Sequence, residues 1–213
     1  MKRSQNTKET LLRSATEVFV EKGFSGARVD DIARRASANK AMIYYHFCSK
    51  QGLYKAVLLR HIGGLHEEMG RAARPETQPL RRLTAFYGSL GRMFQERPSL
   101  PYMMLREILA GGIHMDEEVA RELQGVLAFV RATVEEGVAH GSLRPVNPLF
   151  VHLSVIAPLI IFCVSRPFRE RLLPGATPSS RSVDPQAFLA HLGDLLERIL
   201  TPAPAESVTK EVR

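Results

Sequence analysis

Asn39 and Ser49 bound the most constrained stretch of this chain, Asn-Lys-Ala-Met-Ile-Tyr-Tyr-His-Phe-Cys-Ser-Lys. Each is a strong helix N-cap, its side-chain oxygen placed to accept from a backbone N–H in the turn that follows. A helix begun at Lys40 must end before Ser49 starts the next, which leaves it about two turns. At about 100° per residue, Ile43 and Phe47 fall on one side, Ala41, Met42 and Tyr45 on the other, with Lys40 and Tyr44 at the boundary. Two apolar anchors make a poor core element. The outer face, basic, aromatic and hydroxyl-bearing, suits a groove of DNA.

Just upstream, Val29 to Ala36 reads as another short helix, with Asp30 and Asp31 in its first turn and Arg34 and Arg35 in its last, as the macrodipole favours. An aromatic pair such as Tyr44 and Tyr45 is in general more often partly buried than exposed for recognition. Here the context decides, because only Ser37 and Ala38 separate the two short helices, and that spacing is a helix-turn-helix signature. Residues 1–6 read as a basic arm. Thr7 to Lys22 is predicted to be an amphipathic helix with Leu11, Leu12, Ala15, Val18 and Phe19 on its core face, stopped by Gly23. From Lys50, Leu53, Val57, Leu58, His61, Ile62 and Leu65 predict one helix running to about Gly70.

The charge distribution agrees with a nucleic-acid-binding head. Residues 1–60 hold 12 Lys and Arg against 5 Asp and Glu, whereas the remainder holds 17 against 17, so the whole net charge of +7 sits in the first part. The longest apolar run, Leu149 to Val164, is 16 residues interrupted by His152 and Pro158, short of the roughly 20 that span a bilayer. Without an apolar signal segment at the N-terminus, the expectation is a cytoplasmic protein with no membrane partner. Cys48 and Cys163 lie far apart with no second ligand at metal spacing, so no disulfide, metal or cofactor is expected. Cys48, just past the recognition helix, admits a redox role, although an inert surface thiol is the simpler reading.

Gly23-Phe24, Val29-Asp30-Asp31-Ile32-Ala33, Tyr44-Tyr45-His46-Phe47, Ser49-Lys50 and Leu53 together resemble the N-terminal domain of the TetR family of bacterial transcriptional repressors, over roughly the first 60 residues. The resemblance implies an all-α homodimer, a three-helix DNA-binding head with a helix-turn-helix plus a helical ligand-binding and dimerisation body. It divides the chain into a head (1–49), a linking helix (50–75), a body (76–201) and a polar tail (202–213). It further implies that Lys40, Ala41, Met42 and Tyr44 meet base edges of a double-stranded DNA operator, and that Tyr45, His46 and Lys50 hold phosphates. Three positions depart from the family pattern. Arg28 stands where Thr is common, leaving the second helix without that cap and offering a contact to phosphate or the minor groove. Ser37 replaces the usual turn Gly, and Asn39 the usual Ser.

In the body, apolar spacing predicts helices over Pro79 to Glu96, Leu100 to Ala110, Asp116 to His140, Pro148 to about Leu172 and Gln186 to Leu200, with no strand signals. Leu149 to Val164 is apolar around nearly its whole circumference and has to be covered on all sides, as a central helix of a monomer or as a helix shared between the bundle and a second copy of the chain; the family resemblance favours the second. With the family resemblance, Phe86, Tyr87, Phe94, Met103, Met104, Phe129, His152 and Phe162 become a candidate lining for a small, largely apolar effector, with Arg106 or His152 for an acidic head group. The function implied is a ligand-responsive dimeric repressor released from a palindromic operator. The alternatives are control by a protein partner in place of a ligand, or a small helical enzyme. Against the enzyme, the chain carries no nucleophile elbow, phosphate loop or His-Glu-x-x-His.

Overall fold

The computed structural model describes residues 2–72, 78–172 and 185–202, and among these every regular element is helical. The order is α1 (Lys2–Gly26), α2 (Val29–Arg35), α3 (Lys40–Phe47), α4 (Lys50–Ile62), α5 (Leu65–Ala72), α6 (Pro79–Glu96), α7 (Ser99–Leu109), α8 (Glu117–Ala139), α9 (Pro148–Val164), α10 (Arg166–Leu172) and α11 (Pro185–Leu200). The expected loop over residues 174–185 and the tail from residue 203 lie outside the described residues apart from Pro185, which opens α11.

α1, α2 and α3 close over Leu11, Ala15, Val18, Phe19, Ile32, Ile43 and Phe47, all buried. The apolar stripe read from α1 is the one that packs, but the helix starts at Lys2, so residues 2–6 continue it where an arm was expected. Gly23, at φ 69°, kinks its far end. In the body, α6 lies at the centre and packs against α5, α7, α8, α9 and α11. Its inward side chains Leu83, Phe86, Tyr87, Leu90 and Phe94 meet Val126, Val130 and Val134 of α8, Val155 and Leu159 of α9, and Leu192 and Leu196 of α11 in one continuous core.

Two helices predicted as single are broken, each for a local reason. The linking helix ends at Ile62, because Gly63 leaves the helical region (φ −55°, ψ 134°) and Gly64 takes φ +95° before α5 begins. The α9 helix ends at Val164, and α10 departs at 63°. Pro167 is the cause: in a straight continuation its ring would clash with the carbonyl of Cys163, four residues back, whereas in the first turn of a new helix its missing N–H costs nothing. No single described helix is long and apolar enough to cross a membrane.

His61, buried on α4, lies 3.4 Å from both the Thr16 and Ser99 hydroxyls, between head and body. Burial, with Arg60 and Arg97 nearby, pushes its pKa from 6.5 down to about 4. Because the folded state resists protonation, the stability this group contributes is fully present above about pH 6.5 and is lost as the pH falls toward 4, by up to roughly 3 kcal/mol. Urea titrations at a series of pH values are expected to show this acid loss in the wild type. His61→Gln should flatten it over the same window; an unchanged slope would exclude His61 as its source.

Candidate nucleic-acid interface and the junction behind it

α2 ends in a Schellman turn. Ala38 N–H donates to Ala33 O at 3.0 Å and Ser37 N–H to Arg34 O at 3.1 Å, with Ser37 at φ 48°. Ser thus occupies the left-handed position that glycine fills without strain, at a cost of roughly 1 kcal/mol. Asn39 then caps α3 by accepting from Ala41 N–H at 2.8 Å. Arg28 stands at the N-cap of α2 and makes no side-chain cap, as its identity predicts.

With Ile43 and Phe47 buried, α3 exposes Lys40, Ala41, Tyr44 and Tyr45 together, Tyr45 being 75% exposed. Arg28 is exposed as well. Lys40 Nζ lies 2.8 Å from Asp30, whose carboxylate hydrogen-bonds the ammonium and raises its pKa. Both groups face solvent, so the pair is weak and Lys40 can exchange it for a base. Three further residues of the set are partly covered within the head. Met42 is half-buried and packs against the head core beside a cleft it shares with Asn6, Thr7 and Thr10. The Nε2 of His46 is buried with no hydrogen-bond partner among the described residues. The Lys50 ammonium stands 4.5 Å from the centre of the Phe24 ring, where partial burial lowers its pKa.

Local hydrogen bonds and a close backbone approach define the α3–α4 corner. Cys48 (φ 62°, ψ −37°) forms the centre of a γ-turn in which Ser49 N–H donates to Phe47 O at 2.7 Å. Ser49 caps α4 by accepting from Gly52 N–H at 3.0 Å. A Cβ on Gly52 would lie 2.1 Å from Phe47 O, so no larger residue fits there.

Behind this corner, α4 is tied to the body along its length. Gln51 Nε2 donates to His114 O (2.6 Å), Lys55 pairs with Asp116 and Glu118 (2.7 and 2.6 Å), and the buried Tyr54 hydroxyl donates to Glu107 Oε1 (2.6 Å). His114 Nδ1 also lies 3.2 Å from that oxygen, while Glu107 Oε2 is buried without a hydrogen-bond partner among the described residues. At the C-terminal end of α4, Arg97 Nη1 donates to the carbonyls of Arg60, His61 and Gly63 (3.3, 3.0 and 3.0 Å). Neither Glu107 nor Arg97 was singled out from sequence. The Arg97-Pro98 helix stop was legible, its reach to α4 was not.

The residues read as a pocket lining separate. Phe86, Tyr87, Met103 and Met104 are buried in the core, with Phe129 against Phe86 (ring centres 5.1 Å apart) and Tyr87 Oη 3.1 Å from His152 Nδ1. Burial lowers the pKa of His152 and favours the neutral ring, a poor partner for an acidic head group. Arg106 points to the head, donating to Val20 O (3.2 Å) and Glu21 O (3.0 Å) beside Gly23. Only Phe94 and Phe162 of the set line the cavity of about 650 Å³ between α6, α9, α10 and α11, together with Gly91, Gln95, Pro98, Leu159, Cys163, Arg166, Arg169, Glu170, Pro185, Phe188 and Leu189.

A basic head with a short capped helix, set against a second short helix across a tight turn and presenting its polar face outward, defines a helix-turn-helix DNA-binding regulator. The sequence comparisons name the family: residues 11–57 match the model for bacterial regulatory proteins of the tetR family. The chain is 31% identical over 147 residues to the transcriptional repressor NicS of Pseudomonas putida, covering 66% of this chain and 68% of NicS. It is 45% identical over 75 residues to the transcriptional activator FasR of Mycolicibacterium smegmatis, spanning 35% of this chain and only 34% of FasR. A crystal structure of a tetR-family regulator from Rhodococcus superposes with a TM-score of 0.73 over 93% of this chain and 98% of that one, at 17% identity. The chain belongs to the TetR family of transcriptional regulators.

Tyr54→Phe removes one donor from a buried carboxylate whose other oxygen has no partner among the described residues. It is expected to destabilise the protein by roughly 1–3 kcal/mol in urea unfolding. No loss would mean that Glu107 finds another donor.

Proposed function

We propose that the protein is a homodimeric repressor that binds a palindromic operator and releases it when a small, largely apolar effector enters the body. The observation that carries this reading is the position of α4. Its N-terminal end is locked to the recognition helix through the Cys48 turn, and its C-terminal carbonyls are held by Arg97, which sits between Phe94, Gln95 and Pro98 of the cavity wall. A molecule that displaces that wall pulls on Arg97 and tilts α4, and the recognition helices lose their match to successive major grooves about 34–36 Å apart. Release follows only to the extent that the effector binds the tilted arrangement more tightly than the operator-bound one.

In this reading Lys40, Ala41, Met42 and Tyr44 approach base edges, Lys40 suited to guanine O6 or N7. Tyr45, His46, Lys50 and Arg28 serve the phosphates. The division into head (1–49), linking segment (50–75) and body (76–201) follows the same roles. Dimerisation is supported by α9, which buries Val151, Val155, Leu159 and Ile160 but leaves Leu149, Phe150, Leu153 and Ile161 about half exposed or more, beside exposed Leu195 of α11. An apolar face of that extent on the last two long helices is what a symmetric partner covers. The cavity favours a small ligand over control by a protein partner, since its volume lies in the range typical of small-molecule sites.

Selection of bound sequences from a random duplex library, with light scattering on the same sample, is expected to return a palindrome bound by a dimer. Lys40→Ala should cost roughly 1–3 kcal/mol at the base pair it reads and relax preference there, whereas Lys50→Ala should weaken all sequences alike and reduce the salt slope by about 1. A folded protein that enriches no sequence, or both variants binding like the wild type, would overturn the assignment of α3.

A further inference from the structure

The cavity combines two features that together specify a class of ligand. One wall is apolar, made by Phe94, Leu159, Phe188 and Leu189. At the α10 side stand Arg166, Arg169 and Glu170, two guanidinium groups against one carboxylate, and Glu170 is the sole acid among the described lining residues. Arg166 Nε lies 2.9 Å from Glu170 Oε1. Arg169 is fixed more firmly. Its Nη1 donates to Phe162 O at 2.6 Å and to Ser165 Oγ, closing the end of α9, and its guanidinium lies 4.4 Å from the centre of the Phe162 ring. Phe162 in turn stacks on Phe188 at 4.1 Å, the rings 8° from parallel.

A guanidinium fixed by two hydrogen bonds over an aromatic ring has already lost much of the freedom that binding would otherwise remove, and its planar fork matches a carboxylate. Among the described lining residues, the other polar groups add no negative charge: Gln95 is neutral, and burial raises the pKa of the Cys163 thiol and keeps it protonated. The described lining therefore carries an excess of one positive charge at one side of an apolar space.

We propose that this cavity binds an amphipathic monoanion, its carboxylate set against Arg169 and Arg166 and its apolar chain laid along Phe94, Leu159, Phe188 and Leu189. The assignment rests on the reading of the cavity as the effector site and names the chemistry of what fills it. An uncharged molecule of the same shape forgoes the charge-assisted hydrogen bonds, and a cation meets like charge.

Isothermal titration of the full-length protein with decanoate, 1-decanol and decyltrimethylammonium separates these cases. Decanoate is expected to bind one per chain, at least tenfold more tightly than decanol, and the ammonium to give no saturable heat. In the double variant Arg166→Gln, Arg169→Gln, decanoate should fall to the affinity of decanol while decanol changes less than threefold, which shows that the apolar wall is intact. Because Arg169 also closes α9, Arg166→Gln alone is measured as well and should weaken decanoate severalfold with no effect on decanol. Equal binding of decanoate and decanol, or decanoate binding insensitive to both variants, would overturn the anionic head group. If decanol binds one per chain and releases the selected operator as well as decanoate does, the effector reading stands and the head-group assignment falls. If neither molecule binds with saturable stoichiometry, both fall.

Discussion

The architecture depends on the fixation of α4 at both ends. At one end the Cys48 γ-turn and the Ser49 cap set the α3–α4 angle, and Gly52 is there because Phe47 O occupies the place of a side chain. At the other end α4 stops at two glycines, so its last carbonyls lack the partners that a continuing helix would give them. Arg97 supplies a partner from the body, one charged nitrogen to three carbonyl oxygens. Hydrogen bonds to a charged donor are worth roughly 1.5–3 kcal/mol each, less when shared, which is enough to set where α4 ends without making it immovable. The orientation of the recognition helix is consequently a property of the body as much as of the head.

The flank of α4 adds a different kind of constraint. Glu107 is almost completely buried, and among the described residues one of its oxygens has partners, Tyr54 and His114, and the other has none. Desolvation, then the hydrogen bond to Glu107, raises the Tyr54 phenol pKa and keeps it a donor at all ordinary pH. An apolar pair of the same volume would in general hold the two parts together at lower cost. What the polar pair supplies is direction, since it is satisfied in one register of α4 against α7. The surrounding rings of Phe19, Phe24 and His114, with the Arg106 contacts to the end of α1, make the same junction continuous from head to body.

The body separates packing from vacancy in a way that its composition does not reveal. The aromatic and methionine side chains of α6 and α7 fill the centre of the bundle, and Tyr87 with His152 satisfies the polar atoms there. The open volume lies to one side, where α9 turns into α10 and meets the start of α11. Pro167 creates that corner by ending α9, and the corner brings Arg166 and Arg169 to a space otherwise lined with apolar groups. Fixing Arg169 on Phe162 and Phe162 on Phe188 links three planar groups drawn from three helices, α10, α9 and α11, along this wall.

Much of the head was legible because its determinants are local. Caps at Asn39 and Ser49, the acids and bases of α2, the strained Ser37 and the two anchors of α3 all act within a few residues, and helical periodicity placed Ile43 and Phe47 on the buried face but set Met42 on the outer one, where the structure has it half-buried. Periodicity also placed every body helix, but not the breaks at Gly63 and Ser165, where an apolar pattern runs on through a change of direction. The sequence by itself determined an all-helical chain with a basic helix-turn-helix head, since hydrophobic spacing, capping and charge are one-dimensional properties. Tertiary structure alone decided that Met42 turns toward α1, that Arg97 and Glu107 govern α4, and that the cavity lies by α10 and away from the aromatic centre. Those outcomes depend on which side chains meet across long separations in the chain, and no local pattern encodes them.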